Sequence, residues 1–425
     1  MTAARPLSLP SRTRLVHLGL GNFFRAHQAW YTDHAPDAAE WRIAAFTGRS
    51  RGLTDVLAAQ EGLYTLVTRA ADRDRFELVG SLGSVHPAEN EDAWLDRLRA
   101  PEVAAVTITI TEAGYRDGPA VGRLLAGLAA RRDADAGPLA LVPCDNLPGN
   151  GAVLEQLLLE KADGALAAWI AESVSTITTV VDRITPRTEP GDLLLVARET
   201  GFADRAPVVT EPFSEWILSG AFPGGRPRWE DAGATFTDEI EPFEERKLWL
   251  LNGGHSLLAY AGSARGHSTV AEAVSDETCR GWLEQWWEEA SPHVRLPARD
   301  VAAYLAALLE RWENPRIRHR LGQIAADGSE KLRVRILPVL RREREAGRIP
   351  EGATRALAAW VCHLRGRGAP ADDVRAAELV PLAAGPLPEA VRRALDALDP
   401  ALAEDDAVVA AVVAQAEEFV TAISG

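Results

Sequence analysis

The chain has 425 residues, 47% of them hydrophobic and 25% charged, with a formal net charge of −15 at pH 7. This length suits two domains with separate cores, and the acidic balance argues against a nucleic-acid or anionic-membrane partner. No apolar run or signal core predicts a membrane segment, and three widely spaced cysteines do not suggest a disulfide framework or a zinc cluster. We therefore expect a cytoplasmic globular protein.

The chain opens with a strand, a glycine turn and a helix, the order that a dinucleotide site requires. Residues 14–18 form the strand, Gly19 and Gly21 the turn, and the helix continues to about Asp33. Glycines keep such a turn tight, and backbone N–H groups at the helix start face a pyrophosphate. Phe24 replaces the usual third glycine, so an ordinary strand-to-helix turn is an equally good interpretation of this segment alone.

The second strand, residues 42–47, is expected to end near the adenosine ribose. NAD enzymes commonly place Asp or Glu there, whereas this chain has Thr47-Gly48-Arg49-Ser50-Arg51. Arg49 or Arg51 suits the 2′-phosphate of NADP. The alternative interpretation is a solvated basic loop.

Further apolar runs predict the rest of the sheet. Residues 63–68 and 75–85 should pair as a hairpin, and two later strands are predicted at 177–186 and 193–196. Residues 103–111 form a central strand that ends in Thr111-Glu112, at the carboxyl edge where such sheets bind ligands. Another strand, residues 139–146, ends in Asn146, which suits either a binding site or a turn before Pro148.

From about Glu241 the pattern is almost wholly helical. We predict an α/β domain over residues 1–240 and an all-α domain over residues 241–425. The tryptophans of the second half recur at helical spacing, which favours core packing over a stacking platform.

Residues 244–260 predict a mostly buried helix that carries an unusual number of polar side chains. At about 100° per residue its polar residues fall within an arc of roughly 140°; they are Glu244, Lys247, Asn252 and His255. A buried lysine without a partner commonly loses its proton and so becomes a natural general base. The alternative is a surface Glu244–Lys247 pair with a core histidine. Gly253 and Gly254 are costly in a helix and suggest close approach of another backbone or a ligand.

Three stretches together resemble the polyol-specific long-chain dehydrogenases, also called the mannitol dehydrogenase family. They are His17-Leu-Gly-Leu-Gly-Asn-Phe-Phe-Arg-Ala-His-Gln, Pro212-Phe-Ser-Glu-Trp with Gly225-Arg-Pro-Arg-Trp, and Lys247-Leu-Trp-Leu-Leu-Asn-Gly-Gly-His255-Ser. The resemblance implies a zinc-independent, NAD(P)-dependent alcohol–ketone oxidoreductase with an extended Rossmann domain and a helical substrate-binding and catalytic domain. It implies NAD as cofactor, with NADP as the alternative, and no metal.

The resemblance also assigns roles to single residues. Lys247 matches the catalytic lysine, Asn252 and Asn146 the asparagines that stabilise the oxyanion, and His255 the histidine that orients the substrate. Glu244 matches a proton relay to water. Asp182 and Lys331 match further substrate positions. The expected cofactor-binding residues are Gly19, Gly21, Asn22, Phe23, Arg25, Thr47, Arg49, Thr111, Glu112 and Asn146.

The reaction implied is the interconversion of a sugar alcohol or aldonate with its ketose or keto-uronate, of the mannitol/fructose or mannonate/fructuronate type. Mannitol-1-phosphate 5-dehydrogenase and arabinitol dehydrogenase are alternatives within the family; a β-hydroxyacid-type dehydrogenase and a non-catalytic NAD-binding sensor lie outside it.

Gln323 replaces an arginine typical of mannitol-type members. A basic cluster suits a carboxylate or phosphate, or else a solvated helix face; it comprises Arg316, Arg318, Arg320, Lys331, Arg333 and Arg335. We expect a monomer or homodimer.

Overall fold

A computed structural model describes residues 13–48, 51–110, 114 and 119–421. The chain divides into two compact units, Met1–Glu241 and Pro242–Gly425. None of the helices in the described ranges has the length and apolar character needed to cross a membrane.

The first unit is built on a six-stranded parallel sheet. Its strands are β1 (Thr13–Leu18), β2 (Arg42–Phe46), β5 (Leu82–His86), β6 (Ala105–Ile108), β7 (Leu139–Pro143) and β8 (Val174–Thr176). Their spatial order, β5-β2-β1-β6-β7-β8, is the 3-2-1-4-5-6 order of a Rossmann fold, as predicted. The order reverses between β1 and β6, and a Rossmann fold binds its ligand at that point.

Helices cover both faces of this sheet. The alternation of side chains along β1 separates two cores, because Leu15 packs into one and Val16 and Leu18 pack into the other. The helices are α1 (Asn22–Ala26), α2 (Gln28–His34), α3 (Arg51–Ala59), α4 (Glu91–Arg99), α5 (Pro119–Asp133), α6 (Asn150–Lys161), α7 (Gly164–Ser173) and α8 (Pro190–Thr200), with 3-10 turns at Ala38–Glu40 and Trp229–Ala232.

Two three-stranded sheets accompany the main one. In the first, β3 (Tyr64–Arg69) pairs antiparallel with β4 (Asp74–Val79) and parallel with β10 (Val208–Thr210). The hairpin prediction is therefore correct up to Val79, but the remaining residues form β5 in the main sheet. In the second, β9 (Thr178–Asp182) pairs with β11 (Glu215–Ser219), which also pairs with β12 (Thr235–Phe236). The strand predicted at 177–186 thus exists over Thr178–Asp182, but in this smaller sheet.

The strand predicted at 193–196 is wrong, because these residues lie inside helix α8. Glu189 and Asp192 form a reciprocal capping box at its start, Pro190 occupies its first turn, and Gly201 closes it with φ 73°. These start and stop signals outweigh the apolar run. Val196 is fully buried while Leu194 is 75% exposed, so the run has one buried side.

The second unit is helical throughout its described residues, apart from one isolated bridge between Thr269 and Arg320. A π-helix, Arg246–Gly253, follows α9 (Glu241–Glu245), which begins at the last residue of the first unit. The other helices are α10 (Gly254–Ala264), α11 (Val270–Ser275), α12 (Glu277–Ala290), α13 (Ala298–Trp312), α14 (Leu321–Ala325), α15 (Gly328–Arg335), α16 (Leu337–Glu345), α17 (Glu351–Leu364), α18 (Ala376–Leu382), α19 (Leu387–Leu398), α20 (Pro400–Glu404) and α21 (Asp406–Thr421), with a 3-10 turn at Ser291–His293.

Candidate functional site

The π-helix changes the geometry expected for residues 244–260. In an ideal α-helix, Lys247 and Asn252 lie at opposite ends of the polar arc, whereas a π-helix bonds residue i to residue i+5 and so brings this pair onto neighbouring turns of one face. Lys247, Asn252 and His255 are all buried, with 7%, 8% and 5% of their surface exposed. Glu244, at the end of α9, is half-buried. Since π-helical turns are rare and concentrate at functional sites, this segment is the main candidate in the second unit.

Packed side chains, mostly tryptophan rings, explain the paired glycines, rather than another backbone or a ligand. A Cβ on Gly253 would lie 2.7 Å from Cζ2 of Trp286, and one on Gly254 would lie 2.9 Å from Cδ1 of Leu283 and 3.0 Å from Cη2 of Trp312. The indole N–H groups of Trp286 and Trp287 each donate a 2.9 Å hydrogen bond, to the carbonyls of Trp249 and Leu250. The glycines therefore admit the rings that hold the π-helical backbone. These tryptophans are buried, as predicted.

His255 lies in an aromatic and cationic environment. Its ring stacks on Trp312 at 4.5 Å between centroids and meets His319 edge-on at 4.9 Å. Its Nε2 is buried and has no hydrogen-bond partner among the described residues. Burial, followed by the neighbouring His319, Arg311, Arg335 and Lys247, holds the pKa of His255 well below its usual range. His255 is therefore neutral, with one ring nitrogen left for a ligand.

We call Lys247, Arg311 and Arg335 the cationic cluster, because all three act on His255. Arg335 donates from Nη1 to the carbonyl of Asn252 at 3.4 Å and to Oγ of Ser256 at 3.2 Å. Arg311 is 8% exposed. Sequence reasoning missed Arg311, although it follows the buried residues Val301, Tyr304 and Leu308 on one stripe of α13. An arginine on an apolar stripe was the available signal.

The basic cluster predicted from the sequence divides in the structure. Arg318, Arg320 and Arg333 are exposed, while Arg316, Lys331 and Arg335 are half-buried. Lys331 donates to the carbonyls of Ile324 and Ala326, at 3.2 and 2.5 Å. These contacts give Lys331 a structural role beside the end of α14; its predicted contact with substrate stays a prediction.

In the first unit, the turn after β1 requires glycine at one position and leaves space at the other. Gly19 has φ +115°, and a Cβ there would lie 2.1 Å from the carbonyl oxygen of Thr109. A Cβ on Gly21 would meet only the carbonyl oxygen of Gly19, at 3.6 Å. The protein itself therefore does not demand glycine at position 21. A glycine there suits the close approach of a pyrophosphate to the backbone.

His17 stabilises this turn through contacts with two threonines. Its Nδ1 lies 2.8 Å from Oγ1 of Thr107, and its Nε2 lies 3.1 Å from Oγ1 of Thr109. Since the Thr109 hydroxyl donates to the carbonyl of Gly19 at 2.8 Å, the ring donates from Nε2 and accepts at Nδ1. The ring also stacks on Phe24 at 3.4 Å. Burial lowers the pKa of His17 to about 3, so the ring is neutral.

Several predicted cofactor residues hold the protein itself together. Arg25 donates to the carbonyls of Gly21 and Ala206 and to Oδ1 of Asn22. Burial lowers the pKa of Arg25 to about 10. The helix predicted through Asp33 is broken at His27, where φ is −123° and ψ is −92°.

Phe23 stacks on His27 at 5.0 Å between centroids. Thr47, at the end of β2, accepts the N–H of Ala88 at 3.1 Å. These contacts build the frame of the turn, and direct cofactor contacts by Arg25, Phe23 and Thr47 remain predictions.

The other predicted residues of this unit lie at strand ends. Asn146 is exposed after β7, and Asp182, 5% exposed, is the last residue of β9 and pairs with Glu215. Arg49, Thr111 and Glu112 lie outside the described residues.

One group of possible metal ligands occurs among the described residues, His267, Asp276 and Cys279, whose ligand atoms lie within 4.8 Å of one another. Arg265 already donates to Oδ2 of Asp276 at 2.9 Å. The positive charge of this guanidinium disfavours the binding of a metal cation by the same oxygen. The predicted independence from metal stays a prediction.

Comparison with known proteins places this geometry in a family. Residues 13–231 match the mannitol dehydrogenase Rossmann domain, and residues 239–423 match the mannitol dehydrogenase C-terminal domain. The chain belongs to the mannitol dehydrogenase family. It is accordingly an oxidoreductase acting on CH–OH donors. Membership of this family decides against the β-hydroxyacid-type dehydrogenase, and the enzymatic activity decides against the non-catalytic sensor.

Members of the mannitol dehydrogenase family with different named substrates are similar to this chain. The D-mannonate oxidoreductase of Escherichia coli (strain K12) is 34% identical over 404 residues, which cover 86% of this chain and 83% of that protein. The mannitol 2-dehydrogenase of Cereibacter sphaeroides is 34% identical over 380 residues, covering 81% and 80%. The structure of Pseudomonas fluorescens mannitol 2-dehydrogenase, a ternary complex with NAD and D-mannitol, has a TM-score of 0.86, with 31% identity and coverage of 97% and 92%.

Proposed function

We propose that the protein is an NAD-dependent dehydrogenase that interconverts the hydroxyl group of a polyol or aldonate with the corresponding ketone. The observation that carries this proposal is the π-helix, which puts the buried Lys247 and Asn252 on one face next to His255, whose Nε2 has no hydrogen-bond partner within the part of the chain that the structure describes. The named activities of the relatives, together with the complex of one of them with NAD and D-mannitol, support it.

The first unit fits a dinucleotide. A Rossmann strand order, a left-handed Gly19 and open space at Gly21 lie at the carboxyl end of β1, where a pyrophosphate is bound in such folds. Gly19 and Gly21 would hold the cofactor, and NAD would supply the hydride acceptor when bound. We propose the first unit as the dinucleotide-binding domain and the second as the substrate-binding and catalytic domain.

Lys247 acts as the general base in the oxidation direction. Its un-ionised amine accepts the proton of the substrate hydroxyl, and it returns the proton in the reduction direction. Asn252 donates an amide N–H to the developing alkoxide, and Asn146 is proposed as the second donor. A well-placed donor of this kind contributes about 2.7–4 kcal/mol. The neutral His255 binds a neighbouring substrate hydroxyl through Nε2, and Glu244 passes the released proton towards solvent.

Replacement of the proposed base tests this function. We expect Lys247→Ala to lower kcat by roughly 10²- to 10⁴-fold with NAD and the best substrate among D-mannitol, D-arabinitol and D-mannonate. Lys161→Ala, which alters an exposed lysine at the end of α6, is the control and should keep full activity. Substrate-dependent reduction of NAD or NADP, followed by absorbance, is the measurement.

Near wild-type turnover by a folded Lys247→Ala protein would overturn the assignment of the base. Absence of turnover by the wild type with every substrate and both cofactors would overturn the function. Incubation with EDTA should leave activity unchanged, and a loss that zinc restores would contradict the metal-independent mechanism.

A further inference from the structure

Backbone carbonyls compete for hydrogen-bond donors where the π-helix returns to an α-helix. In an α-helix, the carbonyls of Trp249 and Leu250 would each accept from the N–H group four residues later, whereas a π-helix shifts each bond one residue further along the chain. At the end of the π-helix, the single N–H of Gly254 is shared between the carbonyls of Leu250 and Leu251. A donor from outside the helix would therefore stabilise the wider turn.

Two indole groups supply such donors. Trp286 donates to the carbonyl of Trp249 and Trp287 to the carbonyl of Leu250, each at 2.9 Å. The two tryptophans are consecutive residues of α12, and the carbonyls that accept from them are consecutive in the π-helix. In an α-helical form the same carbonyls would already have regular backbone donors, so the indole bonds would add less there. They therefore favour the π-helical form over the α-helical one.

Helix α12 holds the indole groups in place independently of the π-helix. A Cβ on Gly352, in the first turn of α17, would lie 2.7 Å from Cα of Trp286, so the two backbones are in close contact. Glu289, one turn after Trp286, accepts the N–H groups of Gly352 and Ala353 at 2.7 and 3.0 Å. The backbone of Trp286 is thus fixed against α17, and the ring that it carries can impose a position on the π-helix.

We propose that Trp286 and Trp287 are positioning residues for the reaction: their N–H groups hold the π-helical turn that brings Asn252 onto the same face as Lys247. The inference rests on the function proposed above, in which Lys247 takes the proton and Asn252 donates to the alkoxide. If the segment were wound as an α-helix, Asn252 would move to the opposite end of the polar arc, and the alkoxide would lose that donor. Neither tryptophan needs to touch the substrate or the cofactor for this effect.

The test removes the N–H of Trp286 and keeps the volume of the ring. Replacement of Trp286 by β-(3-benzothienyl)alanine exchanges the indole N–H for a sulfur atom. We expect kcat to fall by about 10- to 100-fold, since a misplacement of about 1 Å can cost on the order of 100-fold. KM for NAD should stay within about twofold, because the dinucleotide is proposed to bind the first unit. The substrate is whichever of D-mannitol, D-arabinitol and D-mannonate the wild type turns over fastest.

The same replacement at Trp282 is the matched control. Trp282 lies on the same helix, is half-buried and meets Phe419 edge-on at 5.3 Å between ring centroids. Its replacement should leave kcat within about twofold of the wild type, because it does not bond to the π-helix. The replacement at Trp287 is a second, independent test and should lower kcat as the one at Trp286 does. Thermal unfolding shows whether each protein is folded.

An Asn252→Ala background separates positioning from packing. The donor that the turn positions is already absent there, so replacing Trp286 should lower kcat further by at most about threefold. The thermal midpoint should fall by about 2–4 °C in both backgrounds, because the lost hydrogen bond is the same. A kcat effect that depends on Asn252, beside a stability effect that does not, is expected only of a positioning residue.

Unchanged kcat in the folded proteins with β-(3-benzothienyl)alanine at position 286 or 287 would overturn the inference. An equal fall of kcat in the wild-type and Asn252→Ala backgrounds would do the same. Either result leaves the proposed function intact, because the unmodified enzyme would still oxidise its substrate and still depend on Lys247. Failure of the function itself would look different, since the wild type would then turn over no substrate.

Discussion

Two buried histidines, one in each unit, show how similar burial leads to different roles. His17 is fully buried and His255 is 5% exposed, and burial lowers the pKa of both. Both nitrogens of His17 face threonine hydroxyls, whereas Nε2 of His255 has no partner among the described residues. Because buried polar atoms are nearly always hydrogen-bonded, a missing partner points to a ligand and a complete set points to a structural role.

The same substitution at the two positions sharpens this comparison. His255→Leu should lower kcat/KM by about 100-fold, because a substrate that loses its orienting contact leaves the reactive geometry. The free energy of unfolding should stay within about 1 kcal/mol of the wild type or rise, since a buried nitrogen without a partner is removed. Steady-state kinetics and urea titration measure the two effects. Unchanged kcat/KM in the folded variant would refute a substrate contact by His255.

His17→Leu should have the opposite profile. Removing the ring takes away the partner of the buried Thr107 hydroxyl and one of the two contacts of the Thr109 hydroxyl, which costs about 1–3 kcal/mol in the free energy of unfolding. KM for the cofactor should rise, because Thr109 holds Gly19, and kcat should change less. A loss confined to kcat, with unchanged stability, would contradict the structural role.

The pH dependence of stability gives the His17 comparison a second readout. The folded-state pKa of about 3 lies below the ordinary 6.5, so the unfolded chain takes up the proton first as pH falls. The stability due to the neutral ring is therefore present above pH 6.5 and is lost towards pH 3, at about 1.4 kcal/mol per pH unit. His17→Leu should show a slope shallower by this amount between pH 6 and pH 4.

An effect on stability alone is expected for the backbone that carries His255. Gly253→Ala should destabilise the protein by about 1–3 kcal/mol, because the added methyl group meets the ring of Trp286. Gly281→Ala is the control in the helix that carries Trp286. Apart from the neighbouring residues and backbone of the helix itself, no atom lies within 4 Å of a Cβ at that position, so this variant should gain about 0.5–1 kcal/mol. Equal thermal midpoints for the two variants would argue against close contact at Gly253.

The sequence predicted the fold where local signals agree. The strand, Gly19 and the following helix indicate a Rossmann unit, and helical periodicity indicates the second unit. The strand prediction at 193–196 was wrong because it used the apolar pattern without the residues that begin and end a helix. The run at 193–196 resembles a buried strand until Glu189, Pro190 and Gly201 are recognised as helix caps. The membership of β9 in a smaller sheet depends on pairing with β11, which no local pattern specifies.

The candidate site was predictable as a set of residues but not as a geometry. The spacing of Lys247, Asn252 and His255 identified the segment, while an α-helical projection placed the first two far apart. Only the backbone bonds of the π-helix show that they lie on one face. Of the basic residues predicted as a cluster, Arg335 contacts the π-helix and Arg333 is exposed; distinguishing them requires knowing which side of α15 packs inward.

The π-helix makes the site depend on the form of one stretch of backbone. Replacing a residue between Arg246 and Gly253 alters one side chain, but winding the same eight residues as an α-helix would rotate all that follows by about 100° relative to Lys247. His255 would then turn away from the base. The five-residue interval from Lys247 to Asn252 therefore records a backbone form as well as a motif.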